Sequence, residues 1–60
     1  MMTRKDYVKI AEALRWALED QIDPMGEYGV MSAASRIANV LQDDNPRFDK
    51  DLFMEAVRDV

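Results

Sequence analysis

The chain contains no cysteine and no histidine, only two glycines and two prolines, and eight basic residues against twelve acidic ones. Without cysteine there is neither a disulfide framework nor a thiolate metal site. Without histidine the chain lacks the commonest general base, the commonest metal ligand and the side chain that changes charge near neutral pH. The net charge of −4 opposes loose attachment to nucleic acid through its phosphates. No apolar run approaches the roughly 20 residues of a membrane-spanning helix. The opening MMTRKDY passes directly into a charged amphipathic pattern instead of the apolar stretch of a signal peptide. A cytoplasmic protein with no membrane association is expected.

What remains is a globular composition: 60 residues, 48% hydrophobic and 33% charged. One domain over residues 1–60 is the upper limit, and a chain this short buries only ~60% of the surface that its unfolded state exposes. Hydrophobic residues recur at spacings of three and four with no strand-period alternation, so the fold class is all-α. A compact three-helix unit is predicted, with helices at about 3–22, 28–43 and 49–59.

The first helix carries Tyr7, Ile10, Ala11, Leu14, Ala17, Leu18 and Ile22 on one stripe, with Lys9, Glu12, Trp16 and Asp20 opposite. Thr3 and Asp6 form a Thr-x-x-acid start signal, a variant of the capping box. Asp23-Pro24-Met25-Gly26 ends this helix, since Pro restricts its predecessor and Gly suits a turn. Two starts for the second helix compete. Asp23 as N-cap with Pro24 at the first helical position begins it at once, while the two glycines and the broken apolar phase favour the later start near residue 28. The later start is the expectation.

In the second helix Val30, Ala33, Ala34, Ile37, Val40 and Leu41 share a face, mostly of small side chains that let helix axes approach closely. Asp43-Asp44-Asn45-Pro46 stops it. The third helix has the clearest start, with Asp49 as N-cap and Phe48 and Phe53 at the two positions of a hydrophobic staple. Leu52, Phe53, Ala56, Val57 and Val60 form its apolar stripe. A core this small rarely supplies more than about 3–5 kcal/mol without disulfides, a metal or a second subunit. Self-association, a homodimer in the simplest case, is therefore an expectation as well.

Catalytic, metal and cofactor sites are not expected. The neighbouring carboxylates Glu19-Asp20, Asp43-Asp44 and Asp49-Asp51 point about 100° or 200° apart on a helix and do not share a proton. Ser32 and Ser35 have no histidine to activate them. Two features point instead to a protein-binding surface. Trp16 lies on the charged face of the first helix, either covering the connection near Met25–Tyr28 or anchoring an interface, where tryptophan is enriched. Asp43, Asp44, Asp49, Asp51 and Glu55 cluster around the second connection and the third helix. Such a run is either a solvated face or a docking surface for an Arg/Lys-rich partner. Arg36, Asn39 and Gln42, three apart on the second helix, suit a DNA-reading helix. Asp43, Asp44, Asp51, Glu55 and Asp59 then face the phosphates unfavourably.

The segments MTRKDYVKIAEAL at Met2–Leu14 and DNPRFDKDLF at Asp44–Phe53 resemble the two ends of a family of very small phage and prophage proteins. Its members start with MTRKDY…IA and finish with NPRFD and a Phe-containing helix. The resemblance covers about 23 of the 60 residues and carries no established catalytic residues. It implies a phage protein acting in the host bacterial cytoplasm. Together with the acidic balance and Trp16, it leads to the expectation of a stoichiometric inhibitor of a host defence complex, such as an anti-CRISPR that keeps a CRISPR effector from its target DNA. The alternative is a phage regulatory DNA-binding protein with a helix-turn-helix-like unit, and a structural accessory protein of a phage assembly is a third reading.

Overall fold

The computed structural model describes residues 2–58. Three helices are present, α1 over Arg4–Glu19, α2 over Pro24–Asp44 and α3 over Lys50–Arg58, each packed on the other two, with no strand among the described residues. The predicted all-α, three-helix class is the observed one. Asp59 and Val60, assigned by the sequence pattern to the third helix, lie outside the described residues.

The helix starts follow local chemistry. At α1, the Thr3 backbone N–H and hydroxyl both donate to Asp6 Oδ2, at 2.9 and 3.2 Å. At α3, Asp49 Oδ1 accepts from the Leu52 N–H at 3.0 Å, the N-cap that the sequence predicts. The Phe48 and Phe53 rings close the staple with centroids 5.4 Å apart.

The first connection corrects two expectations. α1 stops at Glu19 and does not reach Ile22. Glu19 and Asp20 place negative charge at the negative end of the helix dipole, and the Gln21 side chain turns back to donate to the Ala17 carbonyl at 3.1 Å. Ile22 is consequently 96% exposed instead of buried. α2 begins at Pro24, not near residue 28, because Asp23 adopts an extended conformation and its Oδ1 accepts the Gly26 N–H at 2.8 Å. The cap outweighs both glycines, which lie inside the helix. At Gly26 a Cβ would collide with Gln21 Oε1.

The buried faces of α2 and α3 are also rotated from the predicted ones. Ala34, Ala38 and Leu41 are buried and Val30, Met31 and Ile37 half-buried, whereas Ala33 and Val40 face solvent. In α3, Phe53 and Val57 are buried, while Leu52 and Ala56 are exposed. The physical reason is that α2 must satisfy two neighbours at once, so the row Ala34–Ala38–Leu41 points into the junction and the outer apolar residues are left over.

The core consists of Ala11, Ala34, Ala38, Leu41, Phe48, Phe53 and Val57. The α2–α3 connection locks it. Asn45 caps the end of α2 by donating its backbone N–H to the Leu41 carbonyl at 2.9 Å. Its side chain Nδ2 donates to the Tyr7 hydroxyl at 3.1 Å, and its Oδ1 accepts the Arg47 N–H at 3.1 Å. Tyr7 packs edge-on against Phe48 at 4.7 Å. The start of α1 and the end of α2 thus meet, and α1 and α2 form an antiparallel hairpin.

Two outcomes follow from these local assignments. Gly29 lies within α2 with nothing within 4 Å of an added Cβ. Gly29→Ala is expected to stabilise the protein by about 1 kcal/mol, raising the melting temperature by about 4–8 °C in thermal denaturation. The Asp6 carboxyl is held below the ordinary carboxylate pKa, first by the Thr3 backbone N–H and further by the Thr3 hydroxyl and Lys9. A depressed folded-state pKa contributes stability above the unfolded value and loses it as pH falls through the folded value. The stability gap between the parent and Asp6→Asn, measured by urea unfolding across an acid pH series, should therefore be present at neutral pH and close below the ordinary carboxylate range.

Candidate functional site

The fully buried residues divide the molecule into two ends. Along α1 and α2 they are Ala11, Ala34, Ala38 and Leu41, and none lies from Glu12 to Ala33. α2 has 21 residues and α3 nine, so at 1.5 Å per residue α2 is about 31 Å long and α3 about 14 Å. The bundle extends 34 × 17 × 16 Å. α3, attached by a short connection to the C-terminal end of α2, covers the hairpin at the end where Tyr7 and Asn45 meet. The other end, around the α1–α2 turn, is two helices without a third.

At this hairpin tip the apolar rows continue past the core. Leu14 and Leu18 extend the row of Ala11, and Met31 extends that of Ala34 and Ala38; all three are half-buried, Leu14 and Met31 with one side against the core. Around the turn the large apolar residues are open to solvent: Trp16 is 60% exposed, Met25 79% and Tyr28 72%. Trp16 therefore does not cover the first connection, which settles its burial in favour of an exposed ring. Between Arg15 and Arg36 there are four acids, Glu19, Asp20, Asp23 and Glu27, and no base. All four are exposed, and their charge equals the whole net charge of −4. Everything else in the chain balances.

The predicted acidic group is distributed differently. Asp43, Asp44, Asp49, Asp51 and Glu55 are all exposed, but they alternate with Arg47, Lys50 and Arg58 over the same segment. Asp49 is engaged as the α3 cap, and Lys50 Nζ donates to Asn39 Oδ1 at 2.7 Å. The structure does not bring this group to Trp16. Tyr7 marks the end where α3 begins, and Trp16 is nine residues further along α1, about 14 Å. Arg36, Asn39 and Gln42 are exposed, with Asn39 occupied by Lys50.

Sequence reasoning missed the tip acids and the exposure of Ile22, Met25 and Tyr28. The signal was there as a stretch of 20 residues without lysine or arginine. It also missed a groove of about 480 Å³ between α1 and α3, lined by Tyr7, Val8, Phe48, Leu52, Phe53 and Ala56. Leu52 and Ala56, assigned to the core, form one wall of it.

Among the described residues no three His, Cys, Asp or Glu side chains are grouped to hold a metal ion. No helix among them is long and apolar enough to cross a membrane. The chain matches no protein-family model, no curated protein and no solved structure.

Proposed function

We propose that this chain acts by stoichiometric protein–protein binding, as a phage-encoded inhibitor of a host defence complex in the bacterial cytoplasm, of the anti-CRISPR kind. The observation that carries the binding role is the exposed Trp16 at an open, acidic hairpin end. Large apolar side chains left in water beside charges of one sign mark a contact surface, and tryptophan dominates the energetics of such surfaces. The phage setting is supported by the resemblance of Met2–Leu14 and Asp44–Phe53 to small phage proteins. Inhibition needs no chemistry in this scheme. A carboxylate-rich surface occupies the Lys/Arg-rich channel of a CRISPR effector and excludes its target DNA.

The second reading, a DNA-binding regulator, has the exposed row Arg36, Asn39 and Gln42 in its favour. Against it stand the interrupted Asn39 and the carboxylates of Asp43 and Asp44 directly beyond.

Tagged protein incubated with nuclease-treated lysate of cells expressing CRISPR effectors is expected to retain one effector complex at near-equal stoichiometry. The retained effector should no longer bind target duplex. Trp16→Ala, shown to be folded by circular dichroism, should weaken capture by at least about ten-fold, equivalent to ~1.4 kcal/mol. Capture of no effector, together with salt-sensitive duplex binding that Arg36→Ala reduces, contradicts the inhibitor and establishes the regulator.

A further inference from the structure

We infer that the open end of the α1–α2 hairpin is a docking seat for a basic amphipathic helix of a partner protein, which lies beside the hairpin where α3 leaves it uncovered. This inference rests on the protein-binding reading and specifies the chemistry of the partner.

The rows Ala11–Leu14–Leu18 and Met31–Ala34–Ala38 run continuously from the covered end to the open end, and only the covered end contains fully buried residues. The difference between α1 and α3, 16 residues against nine, corresponds to about 10 Å of hairpin, about two turns of helix. At the covered end the element that buries these rows is itself a helix, α3. A second helix in the same orientation therefore buries their continuation by the same packing, the helix-in-groove mode of recognition. Leu14, Leu18 and Met31 form the floor of the seat, and Ile22, Met25 and Tyr28 surround its outer end.

Glu19, Asp20, Asp23 and Glu27 are exposed at this end, with no base from Trp16 to Ser35. This field disfavours a second copy presenting the same end, because eight carboxylates would converge with only the two Arg15 side chains one turn away as counter-charge. It selects a helix whose apolar stripe is flanked by lysine or arginine. Such charge pairing sets specificity and association rate, while the apolar stripe supplies the affinity.

The test uses a synthetic 14-residue peptide with leucine at helical spacing and lysine elsewhere, a scrambled peptide of the same composition, and a leucine/glutamate version. Amide shifts in a nitrogen–proton spectrum of the whole chain should move around residues 14–31 on addition of the Leu/Lys peptide and saturate at one to one. The two control peptides should not bind. Changing Glu19→Gln, Asp20→Asn and Glu27→Gln together should weaken binding at least ten-fold, and Asp23 is kept because it caps α2. The matched set Asp43→Asn, Asp44→Asn and Glu55→Gln, which changes the net charge equally, should weaken it less than two-fold. Equal binding of the scrambled peptide, equal loss in the matched set, or shifts confined to the α1–α3 groove overturns the inference. So does sedimentation equilibrium showing a homodimer that is lost on Met25→Glu, which assigns the seat to a second copy. Capture of an effector without peptide binding removes this inference alone. Peptide binding without effector capture removes the inhibitor and leaves the seat.

Discussion

The fold depends on one polar contact set among aromatic rings, the Asn45 side chain bridging Tyr7 to the α2–α3 turn. Both ends of its amide are used, Nδ2 on the Tyr7 hydroxyl and Oδ1 on the Arg47 N–H, so the chain leaving α2 is held in a single direction. That direction delivers Phe48 against the Tyr7 ring and then Phe53 against Phe48. Edge-on aromatic pairs of this kind are worth about 0.5–1.5 kcal/mol beyond the area that they bury. For a chain of this size that is a substantial part of the whole stability. The contact also joins the first and third helices across most of the sequence, which is how a long hairpin and a short helix become one body.

The same contact has a consequence at the far end. With α3 anchored beside Tyr7 and nine residues long, the buried positions of α1 and α2 stop at Ala11 and Ala34. Beyond them the hairpin holds its apolar rows half in water, beside four carboxylates with no base between Arg15 and Arg36. Apolar residues in a small protein are better buried than exposed by about 25 cal/mol per Å², so an open end with several of them is a cost in the free chain that a partner removes. Stability is concentrated at one end of this molecule, and the proposed binding surface lies at the other.

Local signals were legible in the sequence where one side chain decides one backbone group. Asp49 as a cap, Phe48 and Phe53 as a staple, and the Thr3–Asp6 start all stand as read. Where two local signals competed, the weaker one was preferred: Gly26 and Gly29 argued for a late start of α2, yet one Asp23 hydrogen bond and the fixed φ of Pro24 carried more weight. Rotation of the helices about their axes was not legible. α2 has apolar residues on several sides, and only the packing of α1 and α3 decides that Ala38 goes inside while Ala33 and Val40 stay out. For the candidate site, the exposed Trp16 agrees with its place on the charged face. Number and imbalance of carboxylates fall in different places, since the acids from Asp43 to Glu55 have bases among them and those from Glu19 to Glu27 have none.

The division into a held end and an open end is tested most directly by amide hydrogen exchange of the free protein, residue by residue. Amides around Tyr7–Ala11, Ala34–Leu41 and Phe53–Val57 should exchange only through global unfolding, because tertiary cover protects them. Those of Trp16–Glu19 and Tyr28–Met31 should exchange through local opening, measurably faster, although they lie in the same two helices. Uniform protection along the whole of α1 and α2 would mean that the tip is as well supported as the core, and would contradict an end left open for a partner.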